Sequence, residues 1–446
     1  MTASLEHTLP TLPGRAPRRA PAVALPLARL MGLAALAAML AAAVMLGAGA
    51  AGQRLYFFVP GAHSGFPDWM RGPLSELELT LSPLGGAMLL VALSGCYLVV
   101  LACARRIPAR VAVGAIVALH AIFLLAPPLF SADVFGYIDY ARLGVVHGLD
   151  PYANGAAAAP HDAAAPFVRW HDVASPYGPL FTLCSYAFAT LSVPVTLWIY
   201  KALAALASLG CVSLIWRITT RAGRDPRPAV LLFGLNPLLL AYGVGGAHND
   251  FALQLLVLGA IASATRPRPA PAGAQVALAA LVKLSAGLTL PFLIIGSTDR
   301  RRALLGALLA VIAVAVAGMT FLGGHVFEFV PQIFQQQRLV ARYSVPSRVG
   351  DLLGFGGLTP ALRIACAGGF AVTTAGLLWR AWRGADWVAC AGWATLAALV
   401  TSAWLTPWYV VWLLPLAAVS SSRRLRIATL VFCGYVVATR VGFLLA

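Results

Sequence analysis

Residues 130–179 read FSADVFGYIDYARLGVVHGLDPYANGAAAAPHDAAAPFVRWHDVASPYGP. Apolar runs lie on both sides of this stretch. Within it stand five of the fifteen acids, Asp133, Asp139, Asp150, Asp162 and Asp172, together with His147, His161 and His171. Ionisable groups at a membrane boundary are costly unless they face water or do chemistry. The stretch therefore reads as an outer catalytic loop, with Asp133 as its working residue.

The flanking composition decides the class. The 446-residue chain is 60% hydrophobic and only 11% charged, whereas a soluble domain carries about 25% charged residues. The expected fold is an all-α polytopic membrane protein of about 12–14 membrane helices, some short or re-entrant. Its net charge of +17 sits in short clusters between apolar runs, as the positive-inside rule predicts. No basic stripe long enough to track phosphates occurs, which excludes nucleic acid as a partner. The seven cysteines are scattered without CxxC or Cys/His spacing, so neither a disulfide framework nor a zinc motif is supported.

Residues 1–29, rich in Pro, Ala and Arg, read as a disordered cytoplasmic arm. Residues 30–446 read as one membrane domain that starts with an uncleaved first helix over about 30–51. Arg217, Arg221, Arg224 and Arg227 mark a return to the cytoplasm. That return requires 179–192 to be a short re-entrant or interfacial piece and 195–216 to be the true span. Spans near 229–243 and 250–264 meet at the turn GGAHND. The 273–296 stretch is interrupted at Lys283, Gly287 and Pro291, and is expected as two half-helices lining a cavity. The 130–178 segment is the first outer loop. A second, 323–355, contains His325, Glu328, Arg338, Arg342 and Arg348. Most acids then fall on the outer face, where chemistry is expected.

On a helix, Asp133, Tyr137 and Tyr140 share one face while Asp139 points elsewhere. A carboxylate backed by aromatic rings can have a raised pKa and serve as a general base. The alternative is that Ser131 or Asp133 merely caps an interfacial helix. His248-Asn249-Asp250 is either part of a site or the cap of the following span. Lys283 is a lone cation in a broken apolar segment: it meets a departing phosphate or snorkels to the interface. Arg342, Arg348 and His248 are the other candidates for that phosphate. Tyr177 packs on a sugar or simply fixes the turn of SPYGP. Trp408, with Trp404, Tyr409 and Trp412, is either an interfacial aromatic belt or a stacking platform. His161, His171 and Asp172 read as solvated loop residues, with binding of a sugar or a metal as the alternative. No Walker A loop, no GxGxxG after a strand and no DxD pair occurs. No cofactor or metal is assigned; a divalent cation is left open, without a motif to support it.

SADVFGYIDYARLGVVHGLDPY followed by SPYGPL resembles the first outer loop of GT-C glycosyltransferases. It is most similar to bacterial polyprenyl-phosphomannose-dependent α-mannosyltransferases, the glycosyltransferase family 87-like group. GAHND at 246–250 resembles that family's G-H-N-D, with one alanine inserted. ALVKLSAGLTLPF and TPWYVVWLLP are similar as well, and the likeness covers most of residues 110–420. The resemblance implies a GT-C fold, with inverting transfer of a sugar from a polyprenyl-phosphate donor to a glycan or glycolipid acceptor, Asp133 being the base. It also implies a bacterial plasma-membrane location with an extracytoplasmic site, mannose being the expected sugar and a pentose such as arabinose the alternative. A secondary transporter and a non-catalytic membrane scaffold are the competing classes. Broken helices favour transport, but the polar residues gather in outer loops rather than along paired spans.

Overall fold

In the computed structural model, residues 24–52, 67–336 and 338–445 are described. Residues 1–23 of the expected arm, and 53–66 of the polar segment after the first span, lie outside them. Ala24–Arg29 belong to the first helix, Ala24–Ala51.

Among the described residues the regular structure is entirely helical. Six helices are long and apolar enough to cross a membrane: Pro26–Ala51, Pro83–Cys103, Val193–Arg221, Arg300–Phe327, Pro360–Trp382 and Arg423–Gly442. The 21 residues of Pro83–Cys103 rise about 32 Å, against about 30 Å of hydrocarbon. Six shorter apolar helices of 10–17 residues accompany them. The protein is an all-α, multi-pass membrane protein.

Helix starts are capped by the residue types that cap helices in water. Ser82 accepts from Gly85 N–H, Asp299 from Arg302 N–H, Thr359 from Leu362 N–H, and Asp386 from Val388 and Ala389 N–H. Between helices, small residues allow close approach. A Cβ on Gly273 would lie 1.7 Å from Ala303 O, and one on Gly306 would lie 2.0 Å from Ala270 O. Ala270–Val282 and Arg300–Leu322 therefore meet backbone to backbone. One buried cluster extends from Ala35 to Leu444 and joins the first described helix to the last.

The arginine-rich turn leaves the expected geometry around it: a short helix Pro179–Tyr186, then the long Val193–Arg221. The 273–296 stretch is broken as read, into Ala270–Val282, an extended Lys283, a 3-10 turn Leu284–Thr289 and Leu290–Gly296. Two boundaries differ from the reading. The apolar run leading into residue 130 is helical only as far as Leu125, because Pro127 and Pro128 cannot continue it. The span expected over 229–243 is interrupted: Arg227–Gly234 ends before Asn236-Pro237, and a wide π-type turn follows over Leu239–Val244. Pro237 disfavours helix at Asn236, whose side chain instead accepts from Leu238 and Leu239 N–H at 3.0 and 3.2 Å.

Candidate active site

The helix Asp133–Val145 begins at the rim of a cavity of about 1,830 Å³. The Leu284–Thr289 turn, residues 339–343 and residues 401–409 form its other walls. Ser131 Oγ accepts from the Asp133 N–H at 3.2 Å. The start of the helix is thus held by the serine, and the Asp133 carboxylate is left facing the cavity, half-buried. The cap reading goes to Ser131.

Of the candidates singled out by sequence, Asp133, Tyr140, Tyr177, Lys283, Arg342 and Trp408 line the cavity. Four others stand behind its wall. Tyr137 is fully buried, edge-on to Tyr177 and Phe181 with centroids 5.0 Å away in each case. The face toward the cavity is Asp133, Gly136 and Tyr140, so Tyr137 is turned into the core where an open face was expected. Its hydroxyl lies 3.5 Å from both His248 Nδ1 and Asn249 Oδ1. The His248 ring stacks on Trp408 at 3.9 Å, and its Nδ1 lies between Asp133 and Asp250 at 3.7 and 3.8 Å. Asn249 occupies the cap position of Asp250–Ala264 but makes no side-chain cap.

Asp250 is buried and accepts from Lys283 Nζ at 2.9 Å and from Trp412 Nε1 at 2.5 Å. Lys283, read as a lone cation, is therefore an ion-pair partner whose ammonium also faces the Tyr409 and Trp412 rings at 5.2 and 5.4 Å. Arg348 is the exception. It is absent from the cavity lining and pairs with Asp351 at 3.2 Å on one turn of Val345–Leu352, because i, i+3 neighbours on a helix meet before a distant pocket can be reached.

The aromatic run near the C-terminus is part of the site wall. Trp408 and Trp412 both line the cavity, and Tyr409 stacks on Trp412 at 4.1 Å. Sequence reasoning missed Arg169 and Arg440, which also line it, and Lys201. Lys201 is wholly buried and donates to the carbonyls of Phe123, Pro127 and Gly245 at 3.1, 3.4 and 2.9 Å. It ties the end of one helix to the turn that presents His248. The available signal was that lysine occurs only twice, at 201 and 283. The turn is also strained: Ala247 has φ 56°, and Phe130, just ahead of the Asp133 helix, has φ 62°, conformations uncommon for non-glycine residues.

Burial pushes the Asp133 carboxyl up to about 6; the Lys283 ammonium pulls it back, and Asp250 adds to the rise. The same carboxyl thus titrates just below neutrality, where a general base is most useful. At or just behind the cavity wall, His248 Nε2, Asn249 Nδ2, Asp250 Oδ2 and Trp408 Nε1 are buried without hydrogen-bond partners among the described residues, a concentration of unmatched polar groups that native proteins keep to a few.

The other acids and histidines of the 130–179 stretch stand away from the cavity. Asp162, buried, receives Arg142 Nε at 2.8 Å, His147 Nε2 at 2.7 Å and the Ala164 amide at 2.9 Å. Burial alone would raise its pKa; those donors, Arg142 first, outweigh it and hold it at about 2. Asp139 points away from the cavity as expected. It is buried with no partner among the described residues and is pushed up to about 7, mainly by burial. His161 and Asp172 are exposed.

A family model described as alpha-(1->6)-mannopyranosyltransferase, N-terminal domain, matches residues 29–299. A second, the MptB C-terminal domain, matches 345–440. The chain is 28% identical to alpha-(1->6)-mannopyranosyltransferase A of Mycobacterium tuberculosis over 69% of its own length and 64% of the relative's. It is 27% identical to alpha-(1->6)-mannopyranosyltransferase B of Corynebacterium glutamicum over 66% of its length and 56% of the relative's. It therefore spans less than the whole of the curated relatives it matches. No solved structure matches it. The first match covers the helices that build the cavity floor, including Asp133, His248, Asp250 and Lys283, and on that extent the chain belongs to the alpha-(1->6)-mannopyranosyltransferase family.

Proposed function

We propose that the protein is an inverting mannosyltransferase of the bacterial plasma membrane. It moves mannose from a polyprenyl-phosphate donor to a hydroxyl of a glycan or glycolipid acceptor on the extracytoplasmic side. The carrying observation is the Asp133 carboxylate at the cavity surface, held near neutrality in its titration and backed by the His248–Asp250–Lys283 cluster.

In this reading Asp133 takes the proton from the acceptor hydroxyl as its oxygen attacks the anomeric carbon. The bond to the donor phosphate breaks on the opposite face, through an oxocarbenium-like transition state. Negative charge grows on the leaving phosphate and needs preplaced cations. Arg342, Arg169 and Lys283 line the cavity for that purpose. Lys283 is oriented by Asp250, and Trp408 and Tyr177 supply the sugar-facing wall. Arg348 is given no role.

Several observations support a lipid-linked donor. The cavity extends past Leu284, Leu288, Ala367, Phe370 and Leu399, an apolar arm suited to a prenyl chain. Ala367 and Phe370 belong to Pro360–Trp382, whose most apolar window has no buried residue, so that arm borders lipid. Nucleotide sugars are cytoplasmic, and an outward site needs a donor that the membrane delivers. The 130–178 segment acts as the first catalytic outer loop and 323–355 as the second, on one membrane domain over 30–446.

Asp133→Asn tests the reading. The variant is expected to keep its thermal stability and lose mannose transfer from a polyprenyl-phosphate donor by about 10²–10⁴-fold, the contribution of a general base. Wild-type transfer by the folded variant would overturn the mechanism.

A further inference from the structure

A second cluster lies outside the cavity. Asp150 follows the Asp133–Val145 helix, while His325 and Glu328 sit in the turn Gly323–Phe327 and just after it. Their ligand atoms all fall within 4.8 Å of one another. His325 Nδ1 is 2.8 Å from Glu328 Oε1 and 3.3 Å from Asp150 Oδ2. A single ring N–H cannot serve both oxygens well. Asp150 Oδ2 is indeed buried without a hydrogen bond from any described residue, in a side chain only 15% exposed. Its other oxygen accepts from Tyr152 N–H at 2.9 Å, which fixes the direction of the free one.

We propose that Asp150, His325 and Glu328 bind one zinc ion, with water in the fourth position, and that this ion latches the 323–336 segment onto the first loop. Ligand atoms on a tetrahedral zinc with bonds of about 2.1 Å stand about 3.4 Å apart; the His325–Asp150 spacing of 3.3 Å already fits, and the His325–Glu328 spacing of 2.8 Å has to open by about 0.6 Å, a small movement for two exposed side chains. One imidazole with two carboxylates is a zinc donor set, whereas calcium and magnesium take oxygen ligands. The two segments are already docked: Gln332 Nε2 donates to Tyr152 O at 2.8 Å, and Phe329 packs near the Tyr152 ring at 6.3 Å. Ile333 and Gln336, farther along the same helix, line the active-site cavity. The ion thus sets the position of one cavity wall without touching the reacting groups.

The test uses the full-length protein in detergent, stripped with a chelator and titrated with zinc chloride against a chromophoric zinc indicator. One saturable site per chain is expected, with His325→Ala and Glu328→Gln each weakening it at least tenfold and His161→Ala leaving it unchanged. X-ray absorption of the zinc-loaded wild type should show one imidazole and oxygen neighbours at about 2.0–2.1 Å. Zinc should also slow proteolysis within 323–336 in the wild type but not in His325→Ala. Absence of a saturable site, affinity unchanged in both variants, or sulfur neighbours at about 2.3 Å from the free cysteines would overturn the proposal, leaving a plain histidine–carboxylate ion pair.

Discussion

At Asp133, two neighbours of opposite sign compete over one proton. Burial lifts this carboxyl to about 6, Lys283 opposes the rise and Asp250 adds to it. A base must be ionised, so transfer should increase with pH through about 6, and kcat/KM measured against pH should show that acid limb. Lys283→Met removes the opposing charge; the limb should move to higher pH, and a limb that stays in place would separate Lys283 from the base. Asp162 works in the other sense. Its donors hold it at about 2 in the fold, below the ordinary carboxylate value of about 3.9. Its contribution to stability is therefore present above about pH 4 and fades as pH falls through 2. Asp162→Asn should lower the melting temperature at pH 7, with the gap to wild type closing in acid. Of these groups, sequence made Asp133 legible and left Asp162 as one more acid of a loop. The difference is that burial and the reach of Arg142 across twenty residues have no local signature.

At the scale of elements, chain breaks build the site more than helices do. Pro127-Pro128, Asn236-Pro237 and Lys283 each stop or interrupt an apolar run, and Lys283 itself lines the cavity. Only the break at Lys283 was read from sequence, because a midspan lysine is costly wherever it stands; the apolar runs across the other two hid the prolines within them. Which faces the resulting pieces present was less legible still. Tyr137 shares the i, i+4 row with Asp133, yet the packing of Tyr177, Phe181 and Tyr200 around it takes it into the core. The Trp408–Trp412 run read equally well as a membrane belt, and only the stack on His248 and the bond to Asp250 assign it to the site. Close helix contact holds these pieces together. Gly273→Val would thrust two methyl groups into the Ala303 carbonyl; a loss of about 1–3 kcal/mol is expected from overpacking, measurable as a lower melting temperature in detergent. An unchanged melting temperature would mean that the two helices can separate at that point.

Across the whole molecule, the basic clusters and the acid-rich loops point to one orientation. The proposed extracytoplasmic site requires Arg217, Arg221, Arg224 and Arg227 to lie in the cytoplasm. A cysteine placed at Arg221, in a background with Cys184 and the other accessible thiols replaced, should resist an impermeant thiol reagent in intact cells and react after permeabilisation. Labelling in intact cells would invert the layout and remove the case for a lipid-delivered donor. Sequence by itself determined the membrane class, the placement of the broken segment and the choice of Asp133, because hydropathy, proline and charge act over one or two turns of chain. Only the tertiary structure decided that Lys283 is bound to Asp250, that Lys201 anchors the His248 turn, and that Asp150 meets His325. Those are pairings between segments tens to well over a hundred residues apart, fixed by how the helices pack and by no pattern along the chain.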